Sequence, residues 1–123
     1  MRAGGPPASC PGAWLEAGTA VENASLEGEG LRLPGHDPDG PTLEIYSYSS
    51  ALEKPDTVAN RLGLGHLAFG VPDVEEALGQ VLAEGGRPLG EFTSASVQGK
   101  GQLTFVYARD PEDNVVELQS WSV

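Results

Sequence analysis

The sequence predicts an α+β fold of two related units, the second complete and the first truncated. Three observations predict it. The second half reads β-α-β-β-β, with one capped amphipathic helix among alternating strand segments. Residues 37–48 (DPDGPTLEIYSY) align without gaps on residues 110–121 (DPEDNVVELQSW). Nothing ahead of the first copy resembles GLGHLAFGVPDVEEAL, the strand and helix that open the second half.

Residues 1–29 are poorly patterned: Pro6, Pro7 and Pro11 interrupt regular structure, and only a short stretch over 14–21 has helical character. Residues 30–50 hold two strands. Leu31 and Leu33 alternate with Arg32, the run PGHDPDGP is a dense turn, and residues 42–48 form a strand with two unlike faces. Leu43 and Ile45 point one way; Glu44, Tyr46 and Tyr48 point the other. Residues 51–62 read as a linker, and residues 63–123 as the complete module.

Within that module, Leu67, Phe69 and Val71 share a face opposite His66, Ala68 and Gly70. Asp73 fits the N-cap of a helix, with Glu76 at capping-box spacing. Val74, Ala77, Leu78, Val81 and Leu82 form one apolar stripe, and Gly85-Gly86 stops the helix. Strands are expected over 89–97, 102–108 and 115–121, the last two joined by a turn over 110–114.

A chain of 123 residues suffices for one domain of ordinary size, and 39% hydrophobic residues is a globular composition. A net charge of −11 repels phosphates, which argues against nucleic acid and anionic membrane surfaces as partners. The single cysteine, Cys10, excludes an intrachain disulfide and suits a reducing compartment. No apolar run has membrane-spanning length and the start lacks the apolar core of a secretion signal, so a cytoplasmic location is expected.

The repeat matches Asp37 with Asp110, Pro38 with Pro111, Glu44 with Glu117 and Ser47 with Ser120. Each copy is a proline-containing turn feeding a strand that carries one carboxylate among apolar neighbours. Glu44, His66 and Glu117 each lie on the strand face away from the aliphatic stripe, the face that a two-layer unit leaves open as a groove. Converging there, an imidazole and two carboxylates make a candidate site for a divalent metal ion such as Zn, Ni, Co, Mn or Fe. Read singly, a strand histidine is a hydrogen-bonded structural residue and a strand glutamate ordinary surface charge. Tyr46, Tyr48, Gln119 and Trp121 share the groove face by alternation and are candidate substrate-binding residues. No Ser/His/Asp or CxxC pattern is present, and Gly99-Lys100-Gly101 lacks the spacing of a phosphate-binding loop.

The segments GLGHLAFGVPDVEEAL and GQLTFVYARDPEDNVVELQSW resemble the vicinal oxygen chelate superfamily, which includes glyoxalase I, bleomycin-resistance proteins and extradiol dioxygenases. The resemblance covers residues 63–121 as a whole βαβββ module, and residues 30–48 look like the last two strands of a preceding one. It implies paired modules forming a curved sheet around a metal ion that chelates two adjacent substrate oxygens. Carried over by position, His66 and Glu117 look like the second module's ligands and Glu44 like the first module's glutamate; the family's fourth ligand has no counterpart.

The function implied is a glyoxalase-type metal-dependent lyase or isomerase. It would act on a small carbonyl compound through an enediolate-like intermediate, with Glu117 as the base. Two carboxylates with one histidine fit the 2-His-1-carboxylate set of ring-cleaving dioxygenases poorly. The alternatives are a non-catalytic small-molecule binding protein of the bleomycin-resistance type, suited to a cationic drug, or an inactive truncated relative. A homodimer is expected under every reading, because a half-built first module leaves a sheet edge and an apolar helix seat uncovered.

Overall fold

The computed structural model describes residues 9–11 and 13–123. The chain divides into two units, Met1–Lys54 and Pro55–Val123. Among the described residues no helix is long and apolar enough to cross a membrane.

The first unit runs β1 (Ser9–Pro11), α1 (Ala13–Thr19), β2 (Ser25–Arg32), β3 (Thr42–Tyr48). Its three strands form one antiparallel sheet in the order β1-β2-β3, and β2 pairs β3 from Leu26↔Tyr48 to Arg32↔Thr42. Helix α1 ends where Ala20 takes a left-handed φ of 59° and Thr19 Oγ1 donates back to the Leu15 carbonyl at 2.7 Å. Its one buried residue, Leu15, packs with Ala24 and Leu26, and Tyr46 closes over them.

Two expectations change here. The poorly patterned segment 1–29 contains α1 and the first part of β2, which begins at Ser25 rather than near residue 30. Gly28 and Gly30 occupy one face of β2 and hide the alternation that a strand reading requires. Gly28 lies opposite Tyr46, and a Cβ there would collide with the Ile45 carbonyl oxygen and the Tyr46 ring. The faces of β3 are also reversed in cover. Tyr46 packs in the cluster under α1, whereas Ile45 stays 56% exposed. A helix on the Leu26 side of the sheet decides this, whichever face is the more apolar.

The second unit runs β4 (Leu67–Gly70), α2 (Val74–Ala83), β5 (Arg87–Pro88), β6 (Thr93–Val97), β7 (Gly101–Arg109), β8 (Val115–Ser122). The sheet order is β4-β8-β7-β5, with β6 also pairing β7; β4 runs parallel to β8 and the other pairs are antiparallel. This is the βαβββ module the sequence predicts, on an α+β plan.

Asp73 caps α2 by accepting the Glu76 N–H at 3.1 Å. At the other end Gly86 N–H reaches the Val81 carbonyl at 2.9 Å and Gly85 N–H the Leu82 carbonyl at 3.2 Å. With Gly85 at φ 99°, this pair of bonds is a Schellman stop. The apolar stripe of α2 lies on the sheet: Val74 and Leu78 pack with Val106, Ala108 and Leu118, flanked by Phe69, Val71, Ala77, Val81 and Val116. The opposite sheet face carries the odd-numbered residues of β7 and β8.

The strand expected over 89–97 is split. Leu89 and Gly90 N–H both donate to the Tyr107 carbonyl, at 3.1 and 3.3 Å, so two residues face one and the ladder bulges between β5 and β6. The turn before β8 is built on Asp110, whose carboxylate accepts the Glu112 and Asn114 N–H groups at 2.9 and 2.8 Å. Asp113 N–H returns to the Asp110 carbonyl at 2.9 Å, as Gly40 N–H does to the Asp37 carbonyl at 2.8 Å. The two copies of the repeat therefore share a turn as well as residues, and β3 and β8 start at matched positions, Thr42 and Val115.

Segment 55–61 is tied to the second unit. The Arg109 guanidinium donates to the Thr57 carbonyl at 2.7 Å, and the Thr57 hydroxyl donates to the Asp113 carbonyl. Leu52, Leu62 and Leu64 around it are almost fully exposed.

Candidate functional site

The face of the second sheet away from α2 gathers the polar groups. Strand register sets their places. Tyr107 on β7 lies directly opposite Glu117 on β8, Phe105 opposite Gln119, and Leu103 opposite Trp121; Ala68 of β4 flanks Glu117 on its other side. Because Val106, Ala108 and Leu118 point into the core, their odd-numbered neighbours project to the open face.

His66 stands immediately before β4 rather than inside it, since the ladder begins at Leu67↔Val116. Its position still brings its ring over the open face. His66 Nε2 lies 3.0 Å from Glu117 Oε1, with the two side chains 28% and 12% exposed. Glu117 also accepts from Gln119, whose Nε2 donates to Oε2 at 3.2 Å, and Tyr107 stands across the ladder from it. Trp121 Nε1 donates to Gln119 Oε1 at 2.6 Å, which fixes the amide so that its nitrogen faces the carboxylate. The Tyr107 ring centroid is 4.8 Å from that of His66 and 5.9 Å from that of Phe105, both pairs tilted. Burial pushes the Tyr107 phenol above its ordinary value of 10.0, and the Glu117 charge pushes it the same way.

Sequence reasoning placed four of these residues: His66, Glu117, Gln119 and Trp121. The last two meet Glu117 and each other in a side-chain relay. Tyr107 and Phe105 were missed. Tyr107 lies between Val106 and Ala108, whose side chains enter the core, and only the register set by the turn over 110–114 brings it opposite Glu117.

The remaining candidates lie in the first unit. Glu44 is exposed on β3 opposite Gly30, Tyr48 is exposed opposite Leu26, and Tyr46 packs in that unit's own cluster. No group of three or more His, Cys, Asp or Glu able to hold a metal gathers among the described residues.

His66 and Glu117 supply two donors, one fewer than the three protein ligands of a catalytic zinc-type site. Two ligands each about 2.0–2.1 Å from one ion, subtending roughly 90–110°, sit about 2.9–3.4 Å apart. The 3.0 Å between His66 Nε2 and Glu117 Oε1 falls in that range.

No protein-family model matches the chain, and no curated protein matches it in sequence. Among solved structures, it is similar to a glyoxalase family protein from Bacillus cereus, with a TM-score of 0.74 and 21% sequence identity. The match covers 94% of this chain and 75% of that one, and it shows a glyoxalase-like fold.

Proposed function

We propose that the open face of the second unit binds a divalent metal ion through His66 and Glu117 and serves a glyoxalase-type lyase or isomerase acting on a small carbonyl compound. The observation that carries this reading is the imidazole–carboxylate pair at 3.0 Å on the face left free by α2. The glyoxalase-like fold supports the same reading.

His66 and Glu117 would hold the ion, which would supply Lewis acidity toward the substrate carbonyl. The chain's own residues do the rest. His66 holds its ring toward Glu117 through Nε2. Glu117 takes the proton from the carbon next to the carbonyl and returns it. A carboxylate has about four lone-pair sites. In the metal-free protein His66 and Gln119 occupy two, and an ion held by His66 and Glu117 would take the place of the His66 contact, which leaves capacity for one incoming proton. Trp121, 42% exposed at the rim, offers an apolar surface to the substrate, and Gln119 ties it to the base.

Calorimetric titration with Ni, Zn, Co and Mn tests the proposal. Wild type takes up one ion per chain, and His66→Ala and Glu117→Gln weaken uptake by at least about a hundredfold, the loss of a direct ligand exceeding that of its supporting shell. Loaded wild type then exchanges the proton next to the carbonyl of a small α-hydroxyketone or α-ketoaldehyde adduct with deuterium, followed by NMR. Absence of stoichiometric uptake overturns the reading. In that event, tight binding of an organic cation by the metal-free protein favours the sequestering alternative, which the net charge of −11 and the aromatic side chains of this face suit.

A further inference from the structure

We infer that β3 is a docking strand for a partner polypeptide, which lays an extended segment along its outer edge and a basic amphipathic helix on the face of Leu31, Leu43 and Ile45. The site belongs to the first unit and is independent of the metal-binding reading.

The internal repeat supplies the comparison. Strand β8 is covered on three sides: β7 pairs one edge, β4 pairs the other in parallel over 116–119, and α2 closes over Leu118. Strand β3 carries the same repeat and has only the first of these covers among the described residues. It ends the three-stranded sheet, and its position matched to Leu118 is Ile45, 56% exposed. Helix α1 does not stand in for α2, because it packs with Leu26 and Tyr46 on the other face.

Register defines the seat. Leu31 lies opposite Leu43, Glu29 opposite Ile45 and Glu27 opposite Ser47, all on the face away from α1. The residues of β8 that receive β4 correspond to 43–46 on β3. That edge carries no proline, lysine or bulge, and its sequence TLEIYSY is rich in β-branched and aromatic residues, so it suits strand addition.

Charge selects the occupant. Where the second unit sets Val106 under its helix, opposite Leu118, the first sets Glu29 opposite Ile45, with Glu27 beyond it. A helix brought over these carboxylates meets them best with Lys or Arg beside its apolar stripe, and the net charge of −11 draws the same partner. A second copy lacks such a segment. Among the described residues its strand–helix segments, β1–α1 and β4–α2, are each built into their own sheet, and α2 presents Glu75 and Glu76.

The probe is a labelled synthetic peptide of residues 64–84, the strand and helix that cover β8, carrying Glu75→Lys and Glu84→Lys at exposed positions clear of the stripe and the cap. Fluorescence anisotropy with the full chain should show one peptide bound per chain. Ile45→Glu should weaken binding by at least about tenfold, while Trp14→Glu, on exposed α1 surface, leaves it unchanged. The peptide without its lysines, and a basic peptide of 73–84 without the strand, should each bind at least about tenfold more weakly. Circular dichroism melting of Ile45→Glu should stay within a few degrees of wild type, which separates a lost seat from a lost fold. No binding of the basic peptide, or equal binding by wild type and Ile45→Glu, would overturn the inference. Equal binding of the peptide of 73–84 would overturn the edge pairing. Sedimentation of the peptide-free chain should be the same for wild type and Ile45→Glu; a dimer that Ile45→Glu dissolves would assign the face to a second copy and overturn the partner proposed.

Discussion

Ile45 and Leu118 hold the same position in the internal repeat, yet one is 56% exposed and the other 5%. Truncating each to alanine turns that difference into a measurement. Leu118 is enclosed by Val74, Leu78, Val106 and Ala108, so Leu118→Ala leaves a cavity between α2 and the sheet and costs about 2–5 kcal/mol. Full burial of such a side chain stabilises by about 1.5–3 kcal/mol. With more than half of Ile45 in water, Ile45→Ala loses only about 1 kcal/mol. Urea unfolding followed by tryptophan fluorescence reads both, since Trp14 lies on α1 and Trp121 on β8. At a slope of roughly 1.5 kcal/mol per molar urea, Leu118→Ala lowers the midpoint by about 1.5–3 M and Ile45→Ala by under about 1 M. Equal shifts would mean that the two side chains are equally enclosed, contrary to their burial, and a loss for Ile45→Ala that grows with protein concentration would show its face covered by a second copy in solution.

Asp73→Ala removes the N-cap of α2 and should cost about 1 kcal/mol, read from the same denaturation curves; no loss would mean that another group satisfies the Glu76 N–H. Gly28→Ala drives a methyl group into the Ile45 carbonyl and the Tyr46 ring, so it should destabilise by more than about 2 kcal/mol, whereas Gly18→Ala, where nothing lies within 4 Å, should not. Tyr107 should titrate above 10.0 in the metal-free protein, read at 295 nm as wild type minus Tyr107→Phe. Its raised value means the fold favours the neutral phenol. That contribution is intact below pH 10 and is lost as pH climbs through the folded-state value; a flat stability difference between the two proteins across that window would contradict it.

The second unit was legible because its signals agree across levels. The cap at Asp73, the stripe from Val74 to Leu82 and the glycine stop all specify α2, and alternation in 115–121 fixes which residues of β8 reach the open face. His66 was read by alternation as lying inside the first strand; it stands just before β4, with its ring 3.0 Å from Glu117. The first unit was harder to read. Its strand β2 alternates leucine and glycine with charged residues, and its core of Leu15, Ala24 and Leu26 is too small to leave a stripe in the sequence. Tyr46 was assigned by alternation to an open face that α1 covers, because which side a short helix takes depends on the turn at Ala20 and Asn23, both in left-handed backbone. Tyr107 was hidden for a different reason. Its role depends on cross-strand register, and register is set by the turn over 110–114, where Asp113 also takes a left-handed φ.

Crystals of the protein soaked in Mn or Co and measured at the metal's absorption edge should show an anomalous peak within about 2.0–2.2 Å of both His66 Nε2 and a Glu117 oxygen, replacing the hydrogen bond between them. An undisturbed His66–Glu117 bond at saturating metal, with the peak absent or elsewhere on the chain, would contradict it.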